Sequence, residues 1–202
     1  MEQALRVLLP RVLRGLSFAV YPYQCKADLL KRLPDRLRGY AAWLPEDYRI
    51  VVVVDRDDDD CRELKTQLEV LAKNAGLRTR SSADGQRYQL VNRLIIEELE
   101  AWYFGDWDAV RAAYPRVPAT IPRRAKYRDP DAIAGGTWEA FERVLQREGY
   151  FQTGLRKIEA ARAVAEHWQM EVNRSRSFCA FRDVLQEMIP QWPTSTKPRS
   201  RS

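Results

Sequence analysis

Tyr48-Arg49-Ile50-Val51-Val52-Val53-Val54-Asp55-Arg56-Asp57-Asp58-Asp59-Asp60-Cys61 carries a β-branched run, Ile50 to Val54, straight into five carboxylates among six positions. Near-continuous apolar composition marks a strand buried on both faces of a parallel sheet, and open α/β sheets gather ligands at the carboxyl ends of such strands. Asp55 and Asp57 stand at that end. Alternation along an extended chain predicts that both point to one side, where they can share a hard divalent cation through oxygen. Without a cation, clustered acids repel and raise one another's pKa.

The flanking sequence alternates in period. Downstream, Asp60-Cys61-Arg62-Glu63 fits a capping box, opening a helix over Cys61 to Ala75 that stops at Gly76. Leu77 to Ser81 predicts a short strand, and Tyr88 to Ile96 a stronger one that runs into a second acidic group, Glu97-Glu98-Leu99-Glu100. Upstream, Glu2 to Leu13 has helical apolar spacing with Pro10 expected to bend it; Leu16 to Tyr21 predicts a strand. Lys26 to Trp43 is an amphipathic helix, expected to break near Pro34. Strands alternating with helices imply a parallel or mostly parallel α/β sheet.

Beyond Tyr114 the character changes. Pro115, Pro118, Pro122 and Pro130 punctuate an irregular basic loop containing Arg123-Arg124-Ala125-Lys126. Helices return at Trp138 to Arg147, Leu155 to Trp168 and Phe178 to Met188, the last with Ser177 as its expected N-cap. Trp102, Trp107 and Trp138 are expected in the core.

Composition narrows the function classes. Of 202 residues, 34 are Lys or Arg and 28 Asp or Glu, a net charge of +6, and Lys197, Arg199 and Arg201 near the C-terminus supply half of the excess. A mildly basic body permits a polyanionic partner without requiring one. Cys25, Cys61, Cys179 and the lone His167 are scattered, which argues against a zinc site or a disulfide framework and for a reducing, cytoplasmic setting. No apolar run reaches the roughly 20 residues of a membrane span, and no secretory signal pattern opens the chain.

Spacing also sorts the chemistry of the acidic strand end. An EF-hand loop beginning at Asp55 needs Gly at its sixth position and Glu at its twelfth, where the chain has Asp60 and Thr66. An aspartyl-phosphate phosphatase calls for Thr or Val where Asp59 stands. A nucleotide-sugar transferase using Asp-x-Asp to hold a metal survives as a weaker alternative. Asp58 and Asp60 read as a solvated loop residue and a helix cap.

Five motifs then carry a resemblance. Lys26-Ala27-Asp28-Leu29-Leu30 through Arg36-Leu37-Arg38-Gly39-Tyr40, Asp55-Arg56-Asp57 with Asp60-Cys61, Glu98-Leu99-Glu100-Ala101-Trp102-Tyr103, Lys126-Tyr127-Arg128-Asp129-Pro130, and Asn173-Arg174-Ser175-Arg176-Ser177-Phe178 resemble, in order, domain-of-unknown-function family 4276. The resemblance implies a Toprim-like α/β fold, a mostly parallel sheet flanked by helices with a C-terminal helical extension. That metal-binding domain is shared by topoisomerases, primases and the nucleases of overcoming-lysogenization-defect proteins. The implied division is a core over residues 1–114, a basic loop and helical extension over 115–192, and a disordered tail over 193–202. The resemblance also implies an ATPase partner in bacterial mobile-element or phage-defence systems. Fold analogy does not by itself assign an activity.

Two departures stand out. Relatives begin with a strand ending in Val-Glu-Glu, whereas Met1-Glu2-Gln3-Ala4-Leu5 through Leu9-Pro10 resembles the helix just after it. The expectation is an N-terminally incomplete core that lacks this glutamate, and Glu2 does not replace it. Cys25 stands where relatives tend to have Gly, read as a tolerated change.

The expected activity is phosphodiester cleavage of DNA or RNA assisted by Mg²⁺ or Mn²⁺. Asp55, Asp57 and Glu98 are the candidate metal ligands, with Glu100 a further ligand or base; acids at a helix start are the competing explanation for both glutamates. Lys26, Lys126, Arg174 and Arg176 are candidate phosphate binders. The alternative is a catalytically inactive subunit that binds nucleic acid or an ATPase.

Overall fold

The β-branched run forms strand β1 (Ile50–Asp55), which pairs in parallel with β2 (Leu90–Ile95), Ile50 opposite Leu90 and Asp55 opposite Ile95. A computed structural model describes residues 1–84 and 87–189, so the tail expected to be disordered lies outside the described residues. Among the described residues, eight α-helices flank this two-stranded sheet: α1 (Glu2–Val12), α2 (Lys26–Trp43), α3 (Cys61–Asn74), α4 (Glu100–Gly105), α5 (Trp107–Ala113), α6 (Thr137–Arg147), α7 (Lys157–Ala165) and α8 (Arg176–Met188). The fold is mixed α/β. None of these helices is long and apolar enough to cross a membrane.

Both faces of the sheet are covered, which is why β1 has no polar alternation. Val52, Val54 and Leu90 pack against Leu29, Leu33 and Leu37 of α2 and Leu64, Leu68 and Ala72 of α3. Val51 and Val53 face a larger cluster that runs from Leu8 of α1 through Trp102 and Phe104 of α4 to Phe141, Val164 and Phe178 of α6, α7 and α8. This cluster contains residues on both sides of position 114.

The ends of α3 follow from its sequence. Asp60 accepts hydrogen bonds at Oδ1 from the backbone N–H groups of Arg62 (2.8 Å) and Glu63 (3.0 Å), satisfying two of the donors a helix start leaves free. At the other end Gly76 has φ +78°, and the Leu77 N–H reaches back to Ala72 O at 3.0 Å, a Schellman stop. The prolines break nothing: α1 continues through Pro10 and α2 through Pro34. Each proline forgoes one backbone bond, while the buried faces of Leu5, Leu8 and Leu9, and of Leu29, Leu33 and Leu37, hold the helices together.

Two expected strands are absent. Residues 16–21 form no strand, and Leu16, Phe18 and Tyr21 are exposed, because β propensity needs a partner strand to become a ladder. Leu77 to Ser81 contributes a single bridge, Thr79 to Leu90, before Thr79 and Ser82 cap each other around a 3₁₀ turn. Local hydroxyl bonding wins over extension there. The 115–136 loop is built of 3₁₀ turns that bury Ile121, Tyr127 and Pro130.

The start of α8 is fastened by a buried polar network. Ser175, not Ser177, is the N-cap, accepting from the Phe178 N–H at 3.2 Å. Ser177 instead accepts from the Trp102 indole N–H at 3.0 Å and donates to Asp131 Oδ1 at 3.0 Å. Asp131 also accepts from the Ser175 hydroxyl at 2.8 Å and from the Arg176 and Ser177 backbone N–H groups. A carboxylate at a helix amino terminus is favoured by dipole and orphan donors together. Asp131→Ala is expected to lower the unfolding free energy by about 2–3 kcal/mol, since charge-assisted bonds are lost and, with the two serine hydroxyls 3.0 Å apart, only one of them can donate to the other. Urea denaturation measures it, and a loss below about 0.5 kcal/mol contradicts the fastening role.

Candidate active site

The loops that follow the two strands lie side by side. Arg56 N–H donates to Ile95 O (2.9 Å), Asp57 N–H donates to Glu97 O (3.0 Å), and the Arg56 guanidinium pairs with Glu97. Asp57 and Glu97 both take left-handed conformations, with φ +51° and +61°. At Asp57 this ends the strand alternation that predicted a shared side with Asp55. The Asp57 carboxylate turns to Lys26, whose ammonium reaches Asp57 Oδ2 (2.8 Å), Asp59 Oδ2 (2.7 Å) and Arg56 O (2.8 Å). All three ammonium donors are thereby used. Burial opposes the charge on Lys26, but its bonds to Asp57 and Asp59 raise its pKa overall.

Asp55 enters a different space. It lines a 210 Å³ cleft with Glu98, Glu100, Tyr103 and Lys157, to which Met1, Glu2 and Gln3 of the α1 end also contribute. Asp57 is not among the lining residues. Glu100, at the start of α4, is 4% exposed, and burial pushes its carboxyl up to about 7. Lys157 opposes that shift, as does the bond to its own backbone N–H, while Glu98 and Asp55 add to it. Burial likewise pushes Asp55 up to about 6; the chain's amino terminus and Lys157 draw it down, and Asp57 and Glu98 push it up.

Two polar atoms here are buried without a hydrogen-bond partner, Asp55 Oδ1 and the Tyr103 hydroxyl. Such groups cost free energy unless something satisfies them. Tyr103 is fully buried, which holds its phenol well above the usual range.

Glu98 is held in place by α6. Its Oε2 accepts from the Trp138 N–H (3.1 Å) and the Thr137 hydroxyl (3.2 Å), so this carboxylate caps the α6 amino terminus. Its Oε1 lies 3.8 Å from Lys157 Nζ, which itself sits 4.3 Å from the centre of the Trp138 ring. Trp138 is thus only partly buried, under a cation, unlike the fully packed Trp102 and Trp107.

The sequence matches a known family, described as domain of unknown function (DUF4276), over residues 1–189. The chain belongs to this family. No curated protein and no solved structure matches it. In this DUF4276 chain the structure brings three of the sequence-predicted site residues together, Asp55, Glu98 and Glu100. It sends the fourth, Asp57, to Lys26. Lys126, Arg174 and Arg176 are exposed and lie outside the cleft.

Sequence reasoning missed Lys157, the Tyr103 hydroxyl and the start of α6. Tyr103 closes the Glu98 to Tyr103 motif and was legible there, whereas nothing around Lys157 marks it out. Among the described residues, no three His, Cys, Asp or Glu side chains form a ready-made metal cage. The donor chemistry nevertheless suits a hard cation, which takes carboxylate oxygen, and Asp55 Oδ1 is a buried oxygen with nothing bound to it.

Proposed function

We propose that this DUF4276 protein hydrolyses phosphodiester bonds of nucleic acid with Mg²⁺ or Mn²⁺ held by Asp55 and Glu98 and with Glu100 as the base, a Toprim-like use of two strand ends. One observation carries the reading: these carboxyl groups enter a single cleft beyond the carboxyl ends of parallel strands, and the Asp55 oxygen there is buried and unsatisfied. A divalent cation there supplies Lewis acidity toward phosphoryl oxygen and lowers the pKa of water.

The remaining steps belong to the chain. Asp55 Oδ1 offers an acceptor that no protein donor contests. Glu98 is oriented by the α6 amino terminus through Oε2, leaving Oε1 toward Lys157. Glu100, titrating at about 7, holds or releases a proton near neutral pH, as a general base for water requires. Tyr103 presents a hydroxyl donor, and its raised pKa keeps that donor protonated. Lys157 supplies the positive charge that lets carboxylates share one cleft.

Purified protein incubated with single- and double-stranded DNA and RNA is expected to cleave at least one of them only when Mg²⁺ or Mn²⁺ is added. Asp55→Asn is expected to abolish that cleavage, while Asp57→Asn, which loosens the Lys26 pairing, reduces it less. Wild-type rates from Asp55→Asn sink the proposal. One observation favours the binding-only subunit instead: one Glu98 oxygen is already committed to capping α6. Binding without cleavage under every metal tested supports that alternative.

A further inference from the structure

A second cleft, of 380 Å³, lies between residues 125–134 and α6. Its volume falls within the roughly 300–1,000 Å³ of ligand sites. Lys126, Arg128 and Arg143 line it, and Asp129 is the one acid among its lining residues. That acid is already engaged: Oδ1 accepts from the Asp131 N–H at 3.1 Å, and Oδ2 lies 3.8 Å from the guanidinium of the exposed Arg176. Lys126 rests 4.7 Å from the centre of the buried Tyr127 ring. Among the described residues, neither it nor Arg128 nor Arg143 pairs with a carboxylate. Ile133 and Ala140 give the cleft a buried apolar floor.

We infer that this cleft binds the phosphate backbone of a nucleic-acid strand. Cations spread along a cleft, Lys126, Arg128 and Arg143, match a charged polymer better than one compact anion. Helix α6 ties the cleft to the acidic one: its first turn holds Glu98, and Ala140 and Arg143 further along wall the basic side. Thr137 to Arg143 covers about 9 Å at 1.5 Å per residue. That length equals about three nucleotides at roughly 3.4 Å each. The basic side therefore lies a few nucleotides of strand along α6 from the turn that holds Glu98. The polymer's identity rests on the phosphodiester reading, whereas binding requires no cleavage.

Anisotropy of a fluorescein-labelled oligothymidylate, measured on the full chain in EDTA, tests this directly. Arg128→Ala with Arg143→Ala is expected to weaken binding about tenfold and to flatten the slope of log affinity against log salt by about 1.4, or about 0.7 per lost phosphate contact. Both residues are exposed, so thermal unfolding is expected to be unchanged, and Lys73→Ala, on α3, serves as a neutral control. Wild-type affinity in the double variant, no binding by the wild type, or equal displacement by polyglutamate overturns the inference. The two proposals fail separately. Cleavage with intact binding in the double variant removes only this inference, and loss of binding in a protein that never cleaves removes only the nuclease reading.

Discussion

Glu100→Gln is expected to make the metal-free protein more stable at pH 8 and to cripple the metal-dependent cleavage proposed for it. The Glu100 carboxyl is raised from 4.5 to about 7 by burial. Between those values the unfolded chain has released a proton that the folded chain still holds, so stability falls as pH rises through about 4.5 to 7. Asp55, raised from 3.8 to about 6, adds a fall over about 4 to 6. At roughly 1.4 kcal/mol per pKa unit, each contributes a loss of a few kcal/mol, complete by pH 8. Gln keeps the shape of Glu and carries no charge, so the variant escapes its share. Urea unfolding in EDTA at pH 5 and pH 8 measures this, and a wild type equally stable at both pH values contradicts it. Cleavage should fall about 10³-fold, the loss expected when a general base is removed.

Gly105→Ala is expected to be the most damaging small substitution. A Cβ at Gly105 meets Asn173 Oδ1 at 1.9 Å and the Ser175 backbone nitrogen at 2.9 Å. Asn173 cannot step aside cheaply: its Nδ2 donates to Trp102 O (2.9 Å), its Oδ1 accepts from the Ser175 N–H (3.0 Å), and the Arg174 N–H donates to Gly105 O (3.0 Å). The added methyl therefore separates α4 from the start of α8 and leaves buried polar groups unpaired. Overpacking plus orphaned groups amounts to about 4 kcal/mol or more, a fall in Tm of about 10 °C. Pairing it with Asn173→Ala should cost less than the sum of the two single changes, because the contact with Asn173 disappears with the side chain and only the approach to the Ser175 backbone remains. A Gly105→Ala variant within about 1 kcal/mol of wild type contradicts this close approach.

Local signals were the legible ones. The buried strand, the Asp60 cap and the Gly76 stop are each written within a few residues, and the structure places them where the sequence does. Partners distant in sequence were not legible. Asp57 was paired with Asp55 by strand alternation, but its left-handed backbone and Lys26, on α2, redirect it. In the Asn173 to Ser177 motif the arginines drew attention for their charge. There Asn173, Ser175 and Ser177 do the buried work, with Asp131 and Trp102 as partners far upstream. Helix α4 escaped delimitation because all of Glu100–Gly105 is buried, leaving no polar face to give a 3.6-residue rhythm. The prolines of α1 and α2 misled for the opposite reason: a local rule was overridden by packing.

Asp55 and its cleft, rather than the neighbouring Asp57, are proposed to hold the divalent cation. Titrating Mn²⁺ into wild type, Asp55→Asn and Asp57→Asn at pH 8, with free Mn²⁺ read by electron paramagnetic resonance, tests it directly. Saturable binding is expected from wild type and Asp57→Asn, and none from Asp55→Asn. Undiminished binding by Asp55→Asn, or a loss confined to Asp57→Asn, contradicts it.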